Sequence, residues 1–152
     1  MNTLKELILR NRSYRRFDES HAVSRDDLLE MIDAARCSAS ARNAQPLKYI
    51  LSNDRALNAK IFSCLTWAGY LEDWPGPAKG ERPAAYIVQM HDTTLATDYY
   101  CDDGIAAQSI LLTAAEKGLG GCIIASVQRE TLTEILNTPA PQDHPGDRNR
   151  ET

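Results

Sequence analysis

The chain has 152 residues, of which 43% are hydrophobic and 25% are charged, and its formal net charge is −4. This composition is typical of one ordinary globular domain. The acidic balance argues against a general binder of nucleic acid, because such domains usually carry a basic excess. No apolar run is long enough to span a bilayer, and residues 1–6 lack the apolar stretch of a signal peptide. We therefore expect a cytoplasmic protein with no membrane contact.

Cysteine and histidine are too scattered to predict a metal site. The four cysteines contain no Cys-x-x-Cys spacing, and the three histidines are not at ligand spacing from one another. We expect four reduced and mostly buried thiols, with neither a zinc site nor a disulfide framework. These residues are Cys37, Cys64, Cys101, Cys122, His21, His91 and His144.

The first third of the chain contains two helical patterns and one strand. Apolar residues at helical spacing predict a short helix over 3–9. Ser24, followed three residues later by Asp27, is a variant of the capping box and predicts a helix that ends near Cys37. An apolar run directly after a proline predicts a strand over 47–51.

The pattern continues with alternating helices and strands. We predict helices over 56–65 and 129–136, and strands over 84–90 and 119–125. The segment 69–83 is rich in glycine and proline and is predicted to be a loop or lid. This alternation indicates a mixed α/β architecture.

One predicted helix, over 104–117, is apolar on nearly every side. A helix of this kind is buried, either in a large core or between subunits. A chain of this length has little room to enclose four helical turns, so we favour a subunit interface. Gly118 is well placed to end the helix.

Two polar segments carry the clearest functional signal. The first, residues 12–17, packs three arginines and a serine into six positions, and these groups can hold a phosphate. The second, residues 40–46, contains amide side chains that donate and accept at once, which suits the edge of a heterocycle. Together they indicate a phosphorylated cofactor that bears a ring. The segments read Arg12-Ser13-Tyr14-Arg15-Arg16-Phe17 and Ser40-Ala41-Arg42-Asn43-Ala44-Gln45-Pro46.

With the further motif Gly118-Leu119-Gly120-Gly121-Cys122-Ile123-Ile124-Ala125-Ser126, the chain resembles the FMN-dependent nitroreductase family over residues 4–137. The resemblance implies an α+β three-layer sandwich, in which a central mixed sheet is flanked by helices. It also implies an obligate homodimer with two flavins at the interface, in agreement with the interface expected for the 104–117 helix.

The resemblance also implies roles for individual residues. Arg12, Ser13 and Arg15 would hold the flavin phosphate and ribityl chain, and Arg15 or Arg16 could lie near the pyrimidine side of the ring. A further set would contact the ribityl hydroxyls and the ring, the last two through backbone donors: Ser40, Asn43, Gln45, Ala125 and Ser126.

The chemistry implied by the resemblance belongs to FMN. NADH or NADPH would pass a hydride to the flavin and leave, and a nitroaromatic, quinone or similar electron-poor acceptor would then take its place. This ping-pong scheme needs no catalytic nucleophile or general base from the protein. Trp67, Tyr70 and Trp74 could line the acceptor pocket, although aromatic residues in such a segment are more often core anchors.

Plainer interpretations remain open for each motif. The arginines could form a solvated basic turn, and Asn43 and Gln45 could merely cap turns. Gly120 and Gly121 could simply allow close packing. A nucleic-acid binder that uses the arginines is a third possibility, disfavoured by the net charge.

We assign residues 1–137 to a flavin-binding domain and 138–152 to a tail whose composition predicts disorder. The family continues after its last helix into a hydrophobic strand, which this tail does not resemble. One hypothesis is that the tail is an out-of-frame reading of that strand. The alternative to an enzyme is therefore a truncated, non-catalytic chain with weak or no flavin binding.

Overall fold

The computed structural model describes residues 2–138, and the 138–152 tail lies outside the described residues except for Thr138. An α+β fold is observed, with five α-helices and two β-strands in the described part of the chain. In chain order the elements are α1 (Leu4–Arg10), α2 (Arg25–Arg36), β1 (Leu47–Ser52), α3 (Arg55–Ser63), β2 (Tyr86–His91), α4 (Asp102–Glu116) and α5 (Arg129–Leu136), with a short 3-10 turn at Ala41–Asn43.

Local capping explains where several helices begin. Thr3 and Glu6 form a capping box at the start of α1, and Ser24 and Asp27 form the predicted one at the start of α2. Asp54 accepts a hydrogen bond from the backbone N–H of Leu57 at 2.8 Å and caps α3. Each contact satisfies backbone donors that would otherwise have no partner in the first helical turn.

The two strands pair antiparallel, from Leu47 opposite His91 to Ser52 opposite Tyr86. Because side chains alternate along a strand, the sheet offers a different apolar set to each side. Ile87 packs with one hydrophobic cluster, whereas its neighbours Tyr86 and Val88 pack with the other. Helices therefore cover both faces of the sheet.

The larger cluster lies between the sheet, α2 and α4. Its fully buried members come from one stripe of each helix, and Leu47, Tyr49 and Leu51 of β1 pack against them. On the other face, Ile61 and Cys64 of the α3 region pack against Leu132 of α5. The buried stripe residues are Leu28, Met31, Ala35, Ala106, Ile110 and Ala114.

The predicted third strand over 119–125 is wrong, and so is the prediction of a mixed sheet. The segment makes only isolated bridges, Gly121 with Ser13 and, further on, Val127 with Leu65. A strand needs a continuous ladder of backbone hydrogen bonds, and the described residues supply no such partner between these two points. The observed sheet has two strands and is antiparallel.

Helix α4 is not enclosed within the single chain. Its stripe of Ala106, Ile110 and Ala114 is buried, whereas Ile105 and Leu112 are only partly buried. The partly covered apolar side is compatible with a subunit interface, which stays a prediction. No helix among residues 2–138 is long and apolar enough to cross a membrane.

The expectation of mostly buried thiols is wrong for half of the cysteines. Cys64 is buried and Cys122 is partly buried, whereas Cys37 and Cys101 are exposed. The two exposed residues flank helices, at the C-cap of α2 and the N-cap of α4, where the chain turns at the surface. All four are free thiols.

Candidate functional site

The arginine-rich segment docks against the glycine-rich turn after α4. The backbone N–H of Tyr14 donates to the carbonyl of Gly121 at 3.0 Å, next to the bridge between Ser13 and Gly121. A Cβ atom on Gly120 would collide with the Tyr14 ring, and one on Gly121 would collide with Leu111. The two glycines therefore permit close packing, as their plainer interpretation proposes.

This docking creates a cleft of about 130 Å³ beside Arg15. Hydrogen bonds hold one wall in place: the backbone N–H of Thr66 donates to the carbonyl of Ser126 at 3.0 Å, and that of Gln128 donates to Cys64 at 2.8 Å. The segment 66–69 and the segment 122–126 both line the cleft. Of the proposed cofactor and acceptor contacts, the cleft lining includes Arg15, Ala125, Ser126 and Trp67.

The three arginines of the first motif have different surroundings. Arg12 donates from Nη1 to the carbonyls of Ile8 at 3.0 Å and Asn11 at 2.7 Å, at the C-terminal end of α1. Arg16 lies 3.8 Å from the carboxylate of Glu81. Only Arg15 lines the cleft, where its guanidinium carbon lies 5.4 Å from the centre of the Tyr70 ring.

Arg15 also affects the Cys122 thiol in the same cleft. Burial raises the pKa of Cys122 above its ordinary value, and the positive charge of Arg15 opposes that rise. Arg15 donates from Nη1 to the carbonyl of Ser13 at 3.1 Å, which directs its side chain along the docked segment. The cleft therefore combines a cation and a thiol.

The three aromatic residues of the predicted acceptor pocket differ in burial. Trp67 is 6% exposed and packs against Phe17 and Phe62, so it is a core anchor as well as part of the cleft lining. Tyr70 is 70% exposed beside Arg15. Trp74 is partly buried and is not part of the cleft lining.

The second polar segment forms a tightly cross-linked loop. Arg42, Asn43 and Gln45 have φ angles of 53°, 54° and 51°, in the left-handed region that residues other than glycine rarely adopt. The Gln45 side chain donates from Nε2 to Oδ1 of Asn43 at 3.0 Å. The backbone N–H of Gln45 donates to Oγ of Ser40 at 2.9 Å.

Asp102, in the first turn of α4, anchors this loop. Its carboxylate accepts hydrogen bonds from the Ser40 hydroxyl at 2.6 Å and from the backbone N–H of Ala41 at 2.9 Å. Asp102 is 3% exposed although it is a charged residue. Its partner Ser40 is about sixty residues away in sequence, so no local pattern around Asp102 indicates this contact.

Within one chain, the two polar segments lie near opposite ends of α4. The 40–45 loop is bonded to Asp102, whereas the guanidinium of Arg10, just before the arginine-rich segment, donates to the carbonyl of Ala115 at 3.2 Å. Thirteen residues of helix separate these anchor points, a rise of about 20 Å. The lining of the cleft includes none of Ser40, Asn43 and Gln45.

Comparisons with known proteins agree with the fold. The model of the nitroreductase family matches residues 8–75 of the chain. A nitroreductase family protein from Clostridium novyi NT superposes with a TM-score of 0.75 at 26% identity, covering 91% of this chain and 79% of that one. None of the curated proteins compared with the chain is a significant match.

Two further solved structures share the fold. An FMN-dependent nitroreductase from Clostridium difficile R20291 superposes with a TM-score of 0.69 at 23% identity, covering 88% of this chain and 78% of that one. The NADPH:FMN oxidoreductase of Vibrio harveyi, in complex with NAD+, has a TM-score of 0.69 at 24% identity, covering 91% of this chain and 63% of that one. The resemblance to the nitroreductase family is confirmed.

Proposed function

We propose that the chain is an FMN-dependent NAD(P)H oxidoreductase that reduces nitroaromatic, quinone or similar electron-poor acceptors. The observation that carries this proposal is the cleft lined by Arg15, Trp67, Ala125 and Ser126, with the Tyr70 ring beside Arg15. Bound there, FMN would take up a hydride from the nicotinamide and pass the electrons to the acceptor.

The donor set of the cleft fits part of a flavin mononucleotide. A guanidinium group is a strong partner for an anionic group, and flat aromatic side chains can pack against a heterocycle. Arg15 and Tyr70 provide these groups side by side, and Ser126 is exposed at the wall of the cleft. The protein would hold the flavin and favour negative charge on it electrostatically.

The cleft of one chain is too small to hold the whole cofactor. Its volume is about 130 Å³, whereas pockets that enclose ligands of this size measure about 300–1,000 Å³. The 40–45 loop, which carries the other predicted contacts, lies near the far end of α4. We therefore propose that the complete site forms in a homodimer, with the arginine-rich segment of one copy opposite the 40–45 loop of the other.

Purified protein tests the proposal directly. We expect it to bind FMN, to show flavin absorbance, and to bleach when NADH or NADPH is added without oxygen. Arg15→Ala should weaken FMN binding by about tenfold to a hundredfold, because a charge-assisted contact contributes about 1.5–3 kcal/mol. Arg36→Ala is a matched control, since Arg36 pairs with Asp33 on the surface of α2.

The outcomes separate the proposal from its alternative. Protein that folds but takes up no added FMN would support a non-catalytic chain with the nitroreductase fold. Equal losses of FMN affinity in Arg15→Ala and Arg36→Ala would show that Arg15 is not part of the site. Flavin that binds but does not bleach with either nicotinamide would exclude the proposed reaction.

A further inference from the structure

We propose that Asp102 is a positioning residue, which holds the 40–45 loop in the shape that presents Asn43 and Gln45 to the cofactor. The part of this inference that concerns the cofactor rests on the function proposed above. The observation behind it is a chain of three hydrogen bonds that leads from one buried carboxylate into the loop.

The network reaches both ends of the loop. Oδ2 of Asp102 accepts from the Ser40 hydroxyl at 2.6 Å, and Oδ1 accepts from the backbone N–H of Ala41 at 2.9 Å. The same Ser40 oxygen accepts the backbone N–H of Gln45 at 2.9 Å. One carboxylate therefore fixes the start of the loop directly and its end through Ser40.

The loop needs such an anchor because its backbone is strained. Three residues other than glycine have φ angles above 50°, at Arg42, Asn43 and Gln45. Such conformations persist only where the surrounding structure determines them. With the backbone held in this way, the amide of Gln45 can reach Asn43 at 3.0 Å, and the two side chains form one polar edge.

A carboxylate suits this position better than a neutral group. Both of its oxygens act as acceptors, and both partners in the loop are donors. The N-terminal end of α4 favours the negative charge, which offsets part of the cost of burying it. The adjacent Asp103 is exposed, and its carboxylate accepts a hydrogen bond from the backbone N–H of Gly104 in the same turn.

Asp102→Asn tests the inference, with Asp103→Asn as the matched control. The amide can accept at one atom but not at both, so one of the two donors loses its partner. In the flavin-free protein we expect the amide hydrogens of Ala41 and Gln45 to exchange about tenfold faster in Asp102→Asn, and Asp103→Asn to leave them unchanged. We also expect FMN affinity to fall by about tenfold in the first variant only.

Protection of the Met31 amide hydrogen in α2 from exchange shows whether the variant is still folded. Should Asp102→Asn unfold, Ser40→Ala replaces it: exchange at Gln45 should then accelerate while Ala41 stays protected by Asp102.

Unchanged loop exchange in a folded variant overturns the inference. Faster loop exchange with unchanged FMN affinity overturns the cofactor role of the loop. Wild-type protein that binds no FMN overturns the proposed function, and loop exchange still decides whether Asp102 positions the loop.

Discussion

At the scale of single residues, the three arginines of the segment 12–17 contact different groups although they are close in sequence. Arg12 donates hydrogen bonds to the carbonyls of Ile8 and Asn11 at the end of α1, and Arg16 lies near Glu81 at the surface. Of the three arginines in the motif, only Arg15 lines the cleft, together with Cys122. The motif as a whole predicted a cationic site, but the structure distinguishes its members by the atoms that each guanidinium contacts.

Cys122 provides a test of the cleft that does not depend on flavin. Because burial raises the pKa of its thiol, and only the thiolate is reactive, we expect alkylation at pH 8 to reach the exposed Cys37 and Cys101 first. Arg15→Gln should slow the reaction of Cys122 further, since the charge that opposes the rise in pKa is removed while the side chain keeps much of its bulk.

Mass spectrometry of peptides labelled over time would measure these rates, and a pH–rate profile of Cys122 would follow its pKa. Arg12→Gln is the control, because the guanidinium of Arg12 is bonded to Ile8 and Asn11 outside the cleft lining. Labelling of Cys122 as fast as Cys101 would contradict the described burial.

At the scale of elements, the packing of α2 against α4 and the sheet forms the larger core. Leu28 and Leu29 are adjacent in α2, but Leu28 is 3% exposed in this core and Leu29 is 45% exposed. Leu28→Ala should therefore lower the free energy of unfolding by about 2–5 kcal/mol, because it leaves a cavity. Leu29→Ala should change it by about 0.5 kcal/mol or less. Urea denaturation of both variants measures the difference, and equal losses would contradict the packing of α2.

A surface ion cluster ties the end of α4 to the start of α2. Nζ of Lys117 lies 3.0 Å from Asp27 and 2.5 Å from Glu30. Hydrogen bonding from Ser24, and then from Lys117, lowers the pKa of Asp27 below its ordinary value of 3.8. Pairing with Glu30, and then with Asp27, raises the pKa of Lys117 above 10.5.

The directions of these two pKa shifts determine how the stabilisation by the cluster depends on pH. A lowered carboxyl pKa stabilises the fold above about pH 4, and this stabilisation is lost as the pH falls through the pKa in the folded state. A raised amine pKa stabilises the fold below about pH 10, and this is lost as the pH rises further. The Tm gap between wild type and Lys117→Met should therefore be small but measurable at pH 7, and should close below pH 3. A gap that is independent of pH would show that the ion pairs do not contribute.

The sequence predicted the elements that depend on local interactions. The helix over 129–136 has the predicted bounds, and the capping box at Ser24 begins α2 as expected. The prediction of a third strand is wrong because strand pairing depends on partners distant in sequence, and within residues 2–138 the segment 119–125 forms such a bridge only at Gly121. For the same reason, the link from Asp102 to Ser40 left no pattern in the sequence. The left-handed φ angles at Arg42, Asn43 and Gln45 also lacked the usual signal, a glycine.

At the scale of the whole molecule, the proposed site is divided between two places. The cleft at Arg15 and the loop anchored on Asp102 lie near opposite ends of α4. In a two-fold symmetric dimer, one copy could bring its loop to the cleft of the other, which would create two equivalent sites. The side of α4 that is only partly buried, with Ile105 and Leu112, would then face the partner.

Hybrid dimers distinguish a shared site from a site within one chain. One copy would carry Arg15→Ala and the other Asn43→Ala together with Gln45→Ala, and two different affinity tags would isolate the mixed dimer. If each site combines the cleft of one copy with the loop of the other, one site has both defects and the second has none. The hybrid should then bind about one FMN per dimer, while either parent dimer binds little, because symmetry places one defect in each of its sites.

If cleft and loop served the same site within one chain, every site of the hybrid would carry a defect, and mixing would restore no binding. Titration of FMN by fluorescence quenching separates these results, and sedimentation confirms that the hybrid is dimeric. A monomeric wild-type protein that still binds FMN tightly would exclude the shared site altogether.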